Sequence, residues 1–503
     1  MPLVHALTQM SRRPHAAFYA PGHKQGQGIA DAIAQLLGTA VFKADLPELP
    51  ELDNLFAPAG VIESAQALAA EAFGAQQTWF LANGSTCGVE AAILATCGPG
   101  DSIILPRNVH QSAISGLILS GATPIFISPD YDPDWDMAHG VSASAIATAI
   151  DQHPETKAIL IVSPTYYGTC SDVAAIAQVA HQHDIPFIVD EAHGPHFSFH
   201  PALPTPALAA GADLVVQSTH KVLSAMTQAS MLHLGHLRPH SASLPRSHSA
   251  IVSPNRIQQA LQIVQSTSPS YLLLASLDAA RCQMATQGYE LMQRTLDWAD
   301  QARTQLQQIL NLRIFNPGVL GDSTPWFESD RTRFTVDVTD LGLTGFEADD
   351  ILHTQLGVTA ELPTQRHLTF IISLGNTQGD IERLVQGFQH LATERGRSNG
   401  GGDNPKPRIP GGVEWGHASE AIHSKALTPR AAFFAPKKTV AIAHAAHYIS
   451  AELICPYPPG IPLIMPGEVI LPEAIQVLQE ILASGGVITG CSDVSLQTLQ
   501  VIA

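Results

Sequence analysis

From about residue 61 the chain alternates between two hydrophobic rhythms. Val61–Phe73, Thr86–Cys97, Ser112–Ser120, Ala145–Asp151 and Val173–His183 carry apolar residues at helical spacing. Between them stand short unbroken apolar runs at Thr78–Ala82, Ser102–Leu105, Thr123–Ile127, Ala158–Val162, Phe187–Val189 and Leu214–Gln217. Runs this short and this apolar are strands covered on both faces. The spacing therefore predicts an α/β fold with a mainly parallel sheet between helices. A long helical stretch over Tyr271–Leu310, then strand-like runs at Arg333–Val338 and Leu368–Ile372, predict a smaller α+β domain. Arg395–Gly412 is dense in glycine, proline and charge and reads as a flexible linker. The expected division is an arm over 1–60, a large domain over 61–275, a small one over 276–394, the linker over 395–412 and a carboxy-terminal domain over 413–503.

Composition narrows the partners. The 503 residues are 45% hydrophobic, enough for more than one core. A net charge of −18 argues against nucleic acid or an anionic membrane as partner, since both need a basic face. The six cysteines form no C-x-x-C pair, which points to reduced thiols in a cytoplasmic protein. Met1–His15 has no apolar core, so no signal peptide is expected. No apolar run reaches the ~18 residues of a membrane span.

Lysine is scarce, and that directs attention to one of them. Between residues 44 and 405 only Lys157 and Lys221 occur. Lys157 follows His153-Pro154-Glu155, a solvated loop. Lys221 follows a buried strand, in Ser218-Thr219-His220-Lys221. A lysine in a partly desolvated pocket has a lowered pKa and forms imines. Asp190 ends another buried strand, and a carboxylate there needs a cationic or hydrogen-bonding partner; a pyridinium nitrogen is one. An aspartate capping the next turn is the alternative. Asn83-Gly84-Ser85-Thr86 lies between a strand and a helix. Its glycine, hydroxyls and helix N-terminal N–H groups suit a phosphate, although Ser and Thr are also ordinary helix caps. His110 follows a strand end in Arg107-Asn-Val-His110 and could stack on an aromatic ring. His193 and His196 form an H-x-x-H, but no third ligand accompanies them and no metal site is expected.

In this order, N-G-S-T, R-N-V-H, D-E-A-H-G and S-T-H-K, the motifs resemble those of fold-type I pyridoxal-phosphate enzymes. More narrowly, the chain resembles the bacterial ornithine/lysine/arginine decarboxylases. Tyr19–Lys24 (Y-A-P-G-H-K), Ser266–Tyr271 (S-T-S-P-S-Y) with Ala275–Asp278, and Tyr457–Pro462 (Y-P-P-G-I-P) with Pro466-Gly-Glu468 extend the resemblance from about residue 14 to 490. It implies pyridoxal 5'-phosphate as cofactor, with Lys221 as the imine lysine and Asp190 on the ring nitrogen. His110 would stack on the ring, Ala192 would pack on its other face, and Thr165 would lie near its phenolic oxygen. Gly84, Ser85, Thr86, Ser218 and His220 would hold the phosphate, and His193 joins the cofactor-binding set. Ser266, or else Thr267, would reach the phosphate of a neighbouring subunit. His220 would also stand near the reacting centre.

The resemblance further implies decarboxylation of a basic amino acid in polyamine synthesis by a homodimer with its active site at the subunit interface. No receiver-like segment precedes P-G-H-K, so the chain reads as a short form; short forms favour arginine, with lysine and ornithine as the other substrates. Glu468 is a candidate for the substrate's distal cation, against a simple turn residue. The acidic run Asp45, Glu48, Glu51 and Asp53 is expected to be mostly solvated. Two rival readings stand beside this one. One is another fold-type I enzyme, such as an aminotransferase or an aldolase-type lyase; an aminotransferase could use Arg366 to hold the substrate carboxylate. A non-catalytic relative would regulate polyamine enzymes.

Overall fold

Strands form where the apolar runs predict them; most are buried on both faces, while Thr123–Ile127, at the end of its sheet, is largely half-buried. The computed structural model describes residues 1–236, 252–315, 327–398, 426–457 and 459–503. The chain forms two compact units: Met1–Thr96 with Pro186–Met292, and Cys97–Ile185 with Gln293–Ala503.

In the first unit four strands run in the order Gln77–Leu81, Ser230–Leu234, Leu214–Gln217, Phe187–Asp190. Leu214–Gln217 and Phe187–Asp190 are parallel, with Asp190 opposite Val216. Ser230–Leu234 is antiparallel to both of its neighbours. The hydrophobic pattern does not single out this last strand, because Ser230 and His233 interrupt it. The structure pays for the buried imidazole with hydrogen bonds: Thr78 Oγ1 lies 2.8 Å from its Nδ1 and Gln217 Oε1 3.1 Å from its Nε2. The helix Gly84–Thr96 lies directly on these strands. A Cβ on Gly88 would stand 2.7 Å from a Leu81 methyl and 2.8 Å from a Val216 methyl. The glycine sets how closely the helix approaches, and so where its N-terminus sits. The amino-terminal residues begin with a helix, Pro2–Arg12, whose Leu3 and Val4 N–H groups donate to buried Asp278.

In the second unit three parallel strands run in the order Thr156–Val162, Ser102–Pro106, Thr123–Ile127. A four-stranded antiparallel sheet, Arg313–Ile314, Arg333–Asp337, His367–Ile371 and Leu362–Pro363, forms the expected α+β portion. Its core packs Phe334, Val336, Leu368 and Phe370 against Leu352 and Phe388, residues of the helices Gly345–Leu356 and Gln378–Ser398. Helix Gln378–Ser398 continues into the start of the expected linker; from 399 that segment lies outside the described residues until 426. The carboxy-terminal segment has a core of its own, built from Ile454, Ile464, Ile470, Leu478, Ile488 and Val501. The predicted helix from Tyr271 ends at Leu306 rather than Leu310.

Gly88→Val is expected to overpack the helix against the sheet, at about 1–3 kcal/mol. The readout is the thermal unfolding midpoint, and an unchanged midpoint would refute this account of the contact.

Candidate active site

Two neighbouring parallel strands of the first unit end side by side, and the candidate residues Asp190 and Lys221 stand at or just past their carboxyl ends. Phe187–Asp190 ends on Asp190, which is buried. Burial pushes its carboxyl pKa up, while the Lys221 charge and the Ala192 N–H, at 3.2 Å, pull it back. Leu214–Gln217 runs into Ser218 and the one-turn helix Thr219–Val222. That turn presents Lys221 to His193: Nζ lies 2.9 Å from Nε2. Lysine ammonium can only donate, so His193 Nε2 is the acceptor. Ser218 Oγ donates to Ser85 Oγ at 2.7 Å. This bond joins the lysine turn to the start of helix Gly84–Thr96, where Gly84 takes φ +80°. Thr86 is exposed beside it.

His220 Nδ1 stands 3.1 Å from the Ala229 carbonyl, so it carries the proton and Nε2 is left as acceptor. Burial lowers the His220 pKa, which keeps the ring neutral near pH 7. Ser266 lies beside the same loop of its own chain, its N–H 3.4 Å from Asn83 Oδ1 and its side chain exposed.

Glu191 carries no expected role, and its environment explains it. It is buried, accepts from the Ala207 N–H and the Gln217 amide, and burial pushes its pKa up to about 8. Two adjacent acids thus differ sharply. One is closed into packing by two hydrogen bonds, and the other faces the lysine turn.

The other expected residues belong to the second unit. Thr165 follows strand Thr156–Val162, and its Oγ1 pairs with Thr169 Oγ1 at 2.8 Å; that hydroxyl lies 3.1 Å from His139 Nδ1. His110 caps the helix Gln111–Ser120. Its Nδ1 accepts from the Ser112 N–H at 3.2 Å and lies 2.9 Å from Ser112 Oγ.

Glu468 does not stand ready for a substrate cation. It is buried against Arg107, Oε2 to Nη2 3.2 Å, and accepts the Met465 N–H at 2.8 Å. Burial raises its pKa and Arg107 lowers it. Arg107 also donates to the Pro462 and Leu463 carbonyls at 2.6 and 3.0 Å. The sequence signal for Arg107 was its place directly after a buried strand. Arg366 is likewise engaged: Nη2 meets Asp337 at 3.1 Å and the Asp134 carbonyl at 3.2 Å.

Known proteins resemble this chain in sequence and fold. The Orn/Lys/Arg decarboxylase major domain matches residues 1–337 and the corresponding C-terminal domain matches 417–485. The arginine decarboxylase of Bacillus subtilis is 36% identical over 501 residues, 100% of this chain and 97% of the relative. The chain belongs to the Orn/Lys/Arg decarboxylase family. The arginine decarboxylase of Bacillus anthracis is also 36% identical, over 502 residues, with the same coverage. The crystal structure of the Francisella novicida lysine decarboxylase LdcF superposes with a TM-score of 0.82 at 22% identity, over 100% of this chain and 81% of that one. That likeness establishes the fold expected of an Orn/Lys/Arg decarboxylase.

Removing Arg107 would leave the Glu468 carboxyl buried without its counter-charge. The folded state would then hold Glu468 protonated, whereas in the unfolded chain it ionises near 4.5. The folded state binds the extra proton, so stability falls as pH rises above that value, by at most about 1.4 kcal/mol per unit. Arg107→Met is expected to cost about 3–5 kcal/mol near neutral pH and much less at pH 5. Urea midpoints at pH 5 and 8 test this, and an equal loss at both would refute it.

Proposed function

We propose that this family member is a pyridoxal-phosphate-dependent decarboxylase that converts arginine to the corresponding amine, acting as a homodimer in the cytoplasm. One observation carries the reading: at the ends of two adjacent parallel strands, Lys221 contacts His193 while its charge acts on the buried carboxylate of Asp190. The choice of arginine rests on the full-length relatives that bear that name. The cytoplasmic assignment is supported by the six cysteines, all free. Among the described residues, moreover, no helix is long and apolar enough to cross a membrane.

The residues of the first unit fit the cofactor. Asp190 is a buried carboxylate whose hydrogen bond from Ala192 is a single neutral one, and a protonated ring nitrogen would complete it. Ser85, Thr86, Ser218 and His220, beside Gly84 at a helix start, would hold the phosphate. Ser266 would do so from the neighbouring subunit, and Lys221 would hold the cofactor covalently. The resemblance adds Ala192 and His193, and from the second unit His110 against the ring and Thr165 at its phenolic oxygen. When bound, the cofactor accepts the electron pair left on the α-carbon as carbon dioxide departs. The chain's own part is orientation and proton placement. Asp190 keeps the ring nitrogen protonated. His193 holds the Lys221 amine by hydrogen bond. Lys221 or His220 returns a proton to the α-carbon.

Transamination needs an arginine free to clamp the substrate carboxylate. Arg366 is already matched by Asp337, which favours the lyase reading. Cofactor-loaded protein given arginine, lysine and ornithine should release carbon dioxide, fastest from arginine, without 2-oxo acid. Dominant 2-oxo acid formation, or no turnover at all, would overturn the proposal. Lys221→Ala should abolish the absorbance of lysine-held cofactor and essentially all turnover. Asp190→Ala should still bind cofactor, with turnover reduced about 10²–10⁴-fold or more. Near-normal rates in either variant would remove that residue from the chemistry.

A further inference from the structure

The carboxy-terminal motif Tyr457–Pro462 has no part in the chemistry assigned above, yet the second unit invests several hydrogen bonds in it. The Pro459 carbonyl accepts from the Tyr166 hydroxyl at 2.9 Å. The Gly460 carbonyl accepts the Gln111 N–H at 3.1 Å, a donor from the first turn of the helix that His110 caps. The next two accepting carbonyls, Pro462 and Leu463, are taken by the Arg107 guanidinium, which Glu468 neutralises. Gly460 is thereby brought to the edge of the His110 imidazole. A Cβ built on it would stand 3.4 Å from Nε2 and 3.6 Å from Cδ2. The opposite edge of the ring is held through Nδ1 by Ser112. Gly460 also takes φ +82°, a conformation in which a side chain is strained.

We propose that Pro459–Leu463 is a positioning element for His110. It is clamped by Arg107, Gln111 and Tyr166 so that Gly460 stands beside the Nε2–Cδ2 edge of the imidazole, where a side chain would crowd the ring. Glu468 acts one step further back, by pairing with Arg107 and holding it in place. None of these four residues needs to touch substrate. The segment serves catalysis because it sets the plane of the ring that meets the cofactor, so the inference rests on the role proposed for His110. Ser112 holds the ring at Nδ1, and the missing side chain at Gly460 leaves its Nε2–Cδ2 edge uncrowded, which suits a surface that must keep one plane.

The test compares Gly460→Ala and Tyr166→Phe with Gly485→Ala, each in the wild-type and the His110→Ala background. Gly485 has φ +89° and nothing within 4 Å of a built Cβ, so its alanine reproduces backbone strain without touching His110. The readouts are the pyridoxal-phosphate dissociation constant, the absorption maximum of the bound cofactor, and kcat and KM for arginine. Gly460→Ala is expected to weaken cofactor binding about tenfold and shift the maximum, and Tyr166→Phe to weaken it about threefold. Both effects should fall below about twofold once His110 is absent, because coupled residues are not additive. Gly485→Ala should stay within about twofold throughout. Silent Gly460 and Tyr166 variants, or effects undiminished in His110→Ala, would overturn the proposal. The ¹⁵N resonance of His110 Nε2 in cofactor-free protein reads the contact independently. If wild type neither binds pyridoxal phosphate nor decarboxylates arginine, the functional reading fails. The positioning claim then stands or falls on whether Gly460→Ala moves that resonance, and an unmoved resonance sinks it.

Discussion

A guanidinium buried at the end of a strand is costly without partners, and Arg107 finds its partners 355 to 361 residues further along the chain. That constraint organises the second unit. The two carbonyls and the carboxylate that accept from Arg107 all come from the carboxy-terminal segment, so that segment must return to the strand end Ser102–Pro106. Its return places Gly460 against His110. It also leaves the carboxylate of the P-G-E motif already paired inside the chain. A charge already compensated inside the protein gains little by meeting a second cation, and breaking the pair would strand a buried charge.

The same rule, applied with opposite sign, separates the two acids of the first unit. Glu191 is enclosed by an amide and a backbone N–H, and burial holds it neutral over most of the physiological range. Asp190 receives one backbone N–H and the field of Lys221. A carboxylate so placed still favours a cation beside it. The difference lies in which neighbours each meets, since burial acts on both.

Much of the architecture was legible because apolar run length and helical spacing record burial directly. Thr123–Ile127 and Leu214–Gln217 begin and end where the pattern places them. Segments whose burial is compensated by polar partners were less visible. Ser230–Leu234 was hidden by His233, which is fully buried yet bonded on both ring nitrogens. Pro2–Arg12 was not marked out because it is held partly by one aspartate, Asp278, some 275 residues away. Among the candidate residues, Lys221 and Asp190 were reached by elimination and by position at strand ends. The pairings of Glu468 and Arg366 were not legible for a common reason: a charged residue in a motif does not reveal whether its counter-charge is already inside the chain.

The sequence by itself determined the family, the alternation of strand and helix, and the lysine and aspartate proposed for the chemistry. These follow from local pattern and from residue types that few other roles require. The tertiary structure decided which charges are spent and which remain available. Arg107 with Glu468, Arg366 with Asp337, and Lys221 with His193 are pairings between residues distant in the chain, and electrostatic compensation depends on separation in space.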